Sequence, residues 1–228
     1  MSDKKTNLSH TIGHRVRLRE KFTQGKLADY ELLELLLTYA IPRMDVKPIA
    51  KDLLKTFGGM REILTASPEK LAAVSGIKQS TAIFLKLIHE ITLIDFRRNL
   101  ADTPIFHDFS VLENYCKTLL CGKTREEFHV LFLDPGYKLI EDFAHSDGTI
   151  DSSAIYPREI VKRALNLGAR IVILLHNHPT DIPVFSEDDV NSTKELQSML
   201  KSMHMELFDH LLVANGMIYS MKNMMLLN

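Results

Sequence analysis

The chain has 228 residues, of which 45% are apolar and 25% charged, and its formal net charge is −1. These values are ordinary for a soluble globular protein and suit one large domain or two small ones. The longest apolar runs are far too short to span a bilayer, and the first residues, MSDKKTNLSH, lack the apolar core of a signal peptide. We therefore expect a cytoplasmic protein with no membrane partner.

The charges are divided unevenly along the chain. Residues 1–103 hold 17 Lys and Arg against 12 Asp and Glu, whereas residues 104–228 hold 11 against 17. This asymmetry predicts two domains with different partners. The positive excess in the first half permits contact with nucleic acid without demonstrating it.

Residues 11–99 predict one helix after another. Apolar side chains recur at helical spacing, and the helical segments are separated by Pro42, by the pair Gly58–Gly59 and by a tight turn at Ser75–Gly76. This half of the chain is therefore predicted to be a helical domain.

The pattern changes after this helical region. The segment NLADTPIFHDFS, residues 99–110, contains a proline and no periodicity, so we predict a linker there. The predicted domains are a helical one over residues 1–103 and a second one over residues 104–228.

The second half alternates β-rich runs with helical segments. FHVLFLD at 128–134 predicts a strand, and ARIVILL at 169–175 predicts a central buried strand. One helix is predicted to begin at Pro157 and another after Ser186, and Asn215–Gly216 predicts a hairpin turn. The fold class is therefore α/β (α+β), a helical N-terminal domain followed by a mixed sheet flanked by helices.

Two histidines stand at the end of the central strand, in LLHNHP. His176 and His178 are two residues apart in extended chain, so their imidazoles leave the same side of the strand. Pro179 prevents the strand from continuing. Ser186 lies where a helix begins, and Asp189, three residues on, can supply a third ligand. Two histidines and one carboxylate are typical of a catalytic zinc site.

Simpler interpretations of the same residues stay open at this point. Ser-x-x-Asp at a helix start is also a capping arrangement, in which the helix dipole favours the acid. A histidine at a strand end is often only a hydrogen-bonded surface group. The spacing alone does not decide between these interpretations and a metal site.

The complete string resembles a known signature. HNHP followed by Ser186 and Asp189 is similar to the His-x-His-Pro-x6-Ser-x-x-Asp pattern of MPN/JAMM metalloproteases. SSAIYPREIVKRALNLGARIVILLHNHP and LFDHLLV resemble the bacterial RadC branch of that group. GHRVRLREKF, YELLELLLTYAIPR and KPIAKDLLKTFGGMREILTASPEKLAAVSGI resemble the helical N-terminal region of RadC-like proteins. The resemblance covers nearly the whole chain.

The resemblance implies a Zn²⁺-dependent hydrolase that acts on peptide or isopeptide bonds. His176, His178 and Asp189 would bind the zinc, which would lower the pKa of its bound water to about 7. Ser186 would donate a hydrogen bond to the developing oxyanion. A glutamate on an upstream strand would act as the general base.

The expected glutamate is where this sequence departs from the family. RadC-like proteins carry it shortly before a Gly-Thr pair, here Gly148–Thr149, and an ungapped alignment puts Phe143 or Ala144 at its position. The only nearby acid of that type is Glu141, about 6–7 Å too early along a strand. A bulge or a shifted register would bring Glu141 back. We take Glu141 as the expected base, with a metal site of weak or no peptidase activity as the alternative.

Two further features accompany the resemblance. The loop after HNHP reads TDIPVF where family members often have Ser-Gly-Asp-Pro, so Ile182, Val184 and Phe185 make the rim of the site more apolar. Asp209 and His210 fall in the family's Asp-His pattern. We expect them to be a buried structural pair rather than ligands.

The N-terminal half contains a segment, LAAVSGIKQSTAIFLKLI, that resembles a helix-hairpin-helix. In that motif a Gly-hydrophobic-Gly turn lets backbone amides approach a DNA phosphate. Here the turn is Gly76-Ile77-Lys78, so a lysine replaces one glycine. We expect weak, sequence-independent DNA contact through Gly76 and Lys78, with a hairpin used only for packing as the alternative.

Two functions follow from these features. The first is a RadC-like zinc metallohydrolase, linked by the family's name to DNA repair or DNA processing. The alternative is a DNA-associated accessory protein whose metal site is structural or inactive.

Overall fold

The computed structural model describes residues 3–146 and 156–227, and side chains at 13–145 and 156–227. The chain divides into two compact units, residues 1–90 and 91–228. The division falls inside a long helix, earlier than the boundary at residue 103 that the sequence predicts. Among the described residues, no helix is long and apolar enough to cross a membrane.

The first unit is helical, as the spacing of its apolar residues predicts. Its elements are α1 (Asp3–Thr23), α2 (Asp29–Ala40), α3 (Lys47–Phe57), α4 (Met60–Thr65), α5 (Pro68–Ala72) and the first half of α6 (Gln79–Asp102). Buried aliphatic side chains from α2 to α6 form its core, among them Leu33, Leu37, Leu53, Leu71 and Leu85. α6 continues to Asp102, so the first residues of the predicted linker are helical.

The second unit is a mixed sheet flanked by helices. Its elements after α6 are α7 (Phe109–Leu120), β1 (Phe128–Leu133), β2 (Leu139–Ser146), α8 (Pro157–Leu167), β3 (Ile171–Asn177), α9 (Glu187–Ser202), β4 (Glu206–Ala214) and β5 (Met217–Ser220). The sheet order is β2-β1-β3-β4-β5. Within the strands that the structure describes, β3–β4 is the one parallel pair. The predicted fold class is therefore confirmed.

Alternation along the strands gives the sheet two buried faces. On one face, Phe132, Val172 and Leu174 pack in a cluster with residues of α8 and α9. On the other face, Leu131 and Ile173 pack in a cluster with residues of α7. β3 is buried along its whole length because both of its faces are covered, which explains its unbroken apolar sequence.

The ends of the strands follow from local sequence. β3 ends at Asn177, two residues before Pro179, which has no amide hydrogen for a ladder. The predicted hairpin is confirmed: Asn215 and Gly216 have φ values of 48° and 68° and join β4 to β5. The carboxyl end of β3 therefore lies beside the start of β1, because these two strands are antiparallel neighbours.

Candidate metal centre

His176 and His178 come together at the carboxyl end of β3. His176 is fully buried and lies opposite Phe128 of β1, with the two rings stacked at 6.0 Å between centroids. The Nε2 atoms of the two histidines are 3.1 Å apart. Two bonds of 2.0–2.1 Å to a tetrahedral zinc hold their nitrogens roughly 3.3 Å apart. The observed spacing therefore fits two ligands of one ion.

The tautomer of His178 is determined by its second ring nitrogen. Nδ1 lies 2.8 Å from the backbone oxygen of Ile182, which can only accept a hydrogen bond. His178 Nδ1 therefore carries the proton in the neutral ring. Its Nε2 then presents a lone pair towards His176, as metal-binding histidines do.

A chain of hydrogen bonds determines the tautomer of His176 in the same way. The Thr193 hydroxyl donates to the backbone oxygen of Asp189 at 2.5 Å, so it must accept from Nδ1 of His210 at 2.7 Å. His210 Nε2 is then an acceptor, and His176 Nδ1 donates to it at 2.8 Å. Nε2 of His176 is consequently unprotonated, like that of His178.

Burial keeps the rings of His176 and His210 neutral. Removal from water lowers the pKa of His176 to about 4, against a smaller opposing effect of the Asp189 carboxylate. Burial also holds the pKa of His210 well below its usual value. Two unprotonated nitrogens that face each other at 3.1 Å repel unless a cation lies between them. The donor set therefore fits a divalent metal ion.

Asp189 and Ser186 lie at the start of α9, next to the histidines. Ser186 is the N-cap: its Oγ accepts from the Asp189 amide at 3.0 Å, and its own amide donates to Asp189 Oδ2 at 2.8 Å. The capping arrangement considered from the sequence is therefore present. The same Asp189 Oδ2 lies 3.8 Å from His176 Nε2, so the capping carboxylate also approaches this histidine. Among the described residues, the ligand atoms that lie within 4.8 Å of one another belong to Glu126, His176 and His178, and Asp189 is outside this group. The Ser186 hydroxyl donates to this oxygen at 2.7 Å.

Glu126 is the acid that sequence reasoning missed. One carboxylate oxygen of Glu126 and one ring nitrogen of each of His176 and His178 lie within 4.8 Å of one another. The cause is the register of β1 against β3, in which Phe128 faces His176. When this antiparallel register is continued two residues beyond the Phe128–His176 pair, Glu126 comes opposite His178. In the sequence, the acidic pair Glu126–Glu127 directly before a predicted strand was the only indication of this acid. The pair points to the histidines only once the register of β1 against β3 is known.

Glu141, the glutamate expected from the resemblance, is not brought next to the histidines. It pairs with Phe132 on β1, four residues from Phe128 and therefore about 13 Å from the level of His176. Glu141 Oε1 accepts from Arg163 Nε of α8 at 2.5 Å. The Gly148–Thr149 pair used in the alignment lies outside the described residues.

The neighbours of the site explain two sequence features. Ile182 and Val184 are exposed, whereas Phe185 is buried against His176 and His210, so only part of the apolar loop lies at the rim. Asp209 is buried and accepts from the Ser220 hydroxyl and from two backbone amides. It is structural, whereas its neighbour His210 directly orients His176.

In the first unit, Gly76 and Lys78 both lie exposed in the turn between α5 and α6. Gly76 has φ +88°, and a Cβ there would lie 2.6 Å from Cδ1 of Ile49. Both facts favour glycine whether or not DNA is bound. Lys78 caps α6 through its backbone oxygen, which accepts from Thr81 and Ala82, and leaves its side chain in solvent.

Comparison with known proteins agrees with this architecture. A family model described as RadC-like JAB domain matches residues 106–226, and one described as UPF0758 N-terminal matches residues 11–83. A UPF0758 protein of Ruegeria pomeroyi is 38% identical over 217 residues, covering 94% of this chain and 97% of the relative. The helical part followed by a mixed five-stranded sheet is the architecture of a JAB-type protein. The chain belongs to the RadC-like JAB domain family.

Proposed function

We propose that this protein is a zinc-dependent hydrolase of peptide or isopeptide bonds. The observation that supports it best is the pair of unprotonated Nε2 atoms, 3.1 Å apart, with the Glu126 carboxylate beside them. His176, His178 and Asp189 would hold the zinc. A partly buried acid next to a two-histidine site is the arrangement that metal-assisted hydrolysis requires.

The chemistry divides between the ion and the chain. Zinc held at this site supplies Lewis acidity and a water of lowered pKa. Glu126 takes a proton from the attacking water and returns it to the leaving amine nitrogen. The water oxygen bonds to the carbonyl carbon and the carbonyl oxygen takes up the negative charge; the C–N bond then breaks as the amine nitrogen gains the proton, so a carboxylic acid and an amine result. Ser186, at the rim, can turn its hydroxyl from Asp189 to the developing oxyanion.

The test compares two glutamates of the same domain. Zinc-loaded protein is incubated with libraries of fluorogenic peptides and of isopeptide-linked lysine conjugates, and cleavage is measured for the native chain, Glu126→Gln and Glu141→Gln. Loss of a general base costs about 10²–10⁴-fold in rate. We expect this loss in Glu126→Gln and native-like cleavage in Glu141→Gln.

The opposite results are equally informative. Equal cleavage by the native chain and Glu126→Gln would exclude Glu126 as the base, and loss in Glu141→Gln alone would restore the glutamate expected from the resemblance. If the zinc-loaded native chain cleaves nothing in either library, the alternative function gains. That alternative is a DNA-associated accessory protein with an inactive metal site.

Contact with DNA through the first unit is a second proposal. It is supported by the exposed Lys78 at the start of α6 and by the +5 charge of residues 1–103, from 17 Lys and Arg against 12 Asp and Glu. The contact would be to phosphates and therefore independent of base sequence. A link of this family member to DNA repair would depend on that contact.

A further inference from the structure

Asn177 stands between the two histidines and points to the other side of β3. Successive side chains of a strand leave opposite faces, so Asn177 belongs to the face opposite that of His176 and His178. Only 3% of Asn177 is exposed. A buried amide must have hydrogen-bond partners for both its oxygen and its nitrogen, and those partners show what it does.

Both partners of Asn177 are backbone groups of the segment before β1. Its Oδ1 accepts from the amide of Glu127 at 2.9 Å, and its Nδ2 donates to the carbonyl oxygen of Arg125 at 3.0 Å. These two groups lie on either side of Glu126. The side chain therefore holds the chain immediately before and immediately after the glutamate that approaches the histidines.

The two bonds extend the β1–β3 pairing beyond its last residues. The ladder runs from Leu133–Ile171 to Phe128–His176, and the segment of Glu126 lies outside β1. A side-chain amide offers one acceptor and one donor, as a backbone peptide group does. The Asn177 side chain therefore replaces a further backbone pair between β1 and β3. It keeps residues 125–127 aligned with β3 although they lie outside β1.

We propose that Asn177 is a positioning residue that acts through Glu126. It holds residues 125–127 so that a carboxylate oxygen of Glu126 lies within 4.8 Å of a ring nitrogen of His176 and of His178. This inference rests on the proposed metal site, but it concerns a different property, namely what keeps the acid there. Removal of the amide deletes the two hydrogen bonds on either side of Glu126, while both histidines keep their own hydrogen bonds, to Ile182 and to His210.

The first experiment is a double-mutant cycle read by zinc affinity. Zinc dissociation constants are measured by competition with a chromophoric chelator for the native chain, Asn177→Ala, Glu126→Gln and the double variant. Loss of the carboxylate charge beside the ion weakens binding, and groups that support metal ligands typically contribute 10–100-fold. We expect each single variant to weaken binding about 10-fold, and the double variant to be no weaker than Glu126→Gln alone.

A merely structural role of Asn177 gives a different result. If Asn177 only stabilises the end of β3, the two single-variant losses of zinc affinity multiply in the double variant, and that result overturns the proposal. Asn191→Ala, the same substitution at an exposed site on α9, is the matched control and should leave zinc affinity unchanged. Asn177→Asp keeps the side-chain volume and the acceptor for Glu127, and it replaces Asn177→Ala in the cycle if that variant does not fold.

The second experiment needs no metal. Hydrogen exchange of the Glu127 amide is followed in chelator-treated native protein and in Asn177→Ala. Faster exchange around residue 127, with the rest of β1 still protected, is expected from the lost bond. Unchanged exchange there would overturn the proposal. Should the native chain bind no zinc, the proposed function fails and this exchange experiment alone decides the role of Asn177.

Discussion

The Nε2 atoms of His176 and His178 lie 3.1 Å apart, and in each ring the other nitrogen is occupied by a hydrogen bond. The distance alone is compatible with a hydrogen bond between two histidines. The outer contacts exclude that explanation for neutral rings, because they leave no proton on either Nε2. The two Nε2 lone pairs therefore suit a cation without any change of tautomer.

From this relationship we predict about one zinc per chain in protein purified without an affinity tag, and loss of that zinc in His178→Ala. Elemental analysis measures both. His107→Ala, which removes an exposed histidine of the same domain, should retain the metal. Zinc-free native protein, even after reconstitution, would contradict the proposed site.

Thr193 should control zinc affinity without contacting the metal. Thr193→Val removes the acceptor of His210 Nδ1, so the proton of His210 is free to move to Nε2 and to force His176 into the wrong tautomer. We expect zinc to bind about 10–100-fold more weakly. Thr193→Ser keeps the hydroxyl and should bind zinc as the native chain does. Chelator competition measures the affinities, and equal affinity of the two variants would refute the hydrogen-bond chain.

His129, on the other face of β1, should make stability depend on pH. Burial alone would lower its pKa, but the hydrogen bond to Asp142, at 2.7 Å, and the Glu127 carboxylate 3.8 Å from Nε2 outweigh burial and raise the pKa to about 8. Because the folded pKa exceeds the unfolded value of about 6.5, the stabilisation is complete below pH 6.5 and is lost as the pH rises through 8. The loss is about 2 kcal/mol.

Urea unfolding between pH 6 and pH 9, with a chelator present, measures this loss. Asp142→Asn removes the main partner of His129 and should flatten the curve in this interval. A native curve that is already flat there would show that His129 does not titrate as described.

Gly76→Ala should destabilise the first unit by about 1–3 kcal/mol. Two costs combine, the left-handed φ of +88° and the approach of the new Cβ to Cδ1 of Ile49. Gly25→Ala is the matched control, because Gly25 has φ +64° but nothing within 4 Å of the added Cβ. Chemical unfolding of both variants separates the steric cost from the backbone cost, and equal losses would mean that Ile49 simply moves aside.

Lys78→Ala should weaken binding to duplex DNA equally for all sequences. If its ammonium contacts one phosphate, the slope of log affinity against log salt concentration should fall by about 0.9. Fluorescence anisotropy between 50 and 200 mM salt measures that slope. Salt-independent retention of DNA, or an unchanged slope in the variant, would leave the α5–α6 turn with a packing role only.

Local patterns predicted the elements of this protein well because each pattern has a local cause. β3 was identified from an unbroken apolar run, its end from Pro179, and the start of α9 from Ser186. The hairpin at Asn215–Gly216 follows from the backbone angles that those residues accept. The contact division at residue 90 lies inside α6, whereas the predicted boundary at residue 103 follows the end of that helix.

The acid next to the histidines could not be found in this way. An ungapped comparison pointed to the strand of Glu141, whereas Glu126 comes close through the antiparallel register of β1 and β3. Register is a relation between segments 50 residues apart, and no local pattern contains it. The role of His210 was hidden for the same reason, because its contact with His176 crosses from β4 to β3.

The sequence by itself determined the helical and mixed α/β halves, the resemblance to RadC-like proteins and the pair of histidines on one face of a strand end. These depend on periodicity, turn residues and spacing, which act over a few neighbouring residues. Only the tertiary structure decided which acid faces that pair, which tautomers the rings adopt and what Asn177 holds. Each of these depends on hydrogen bonds between distant segments, whose partners exist only once the strands have paired and the chain has excluded water.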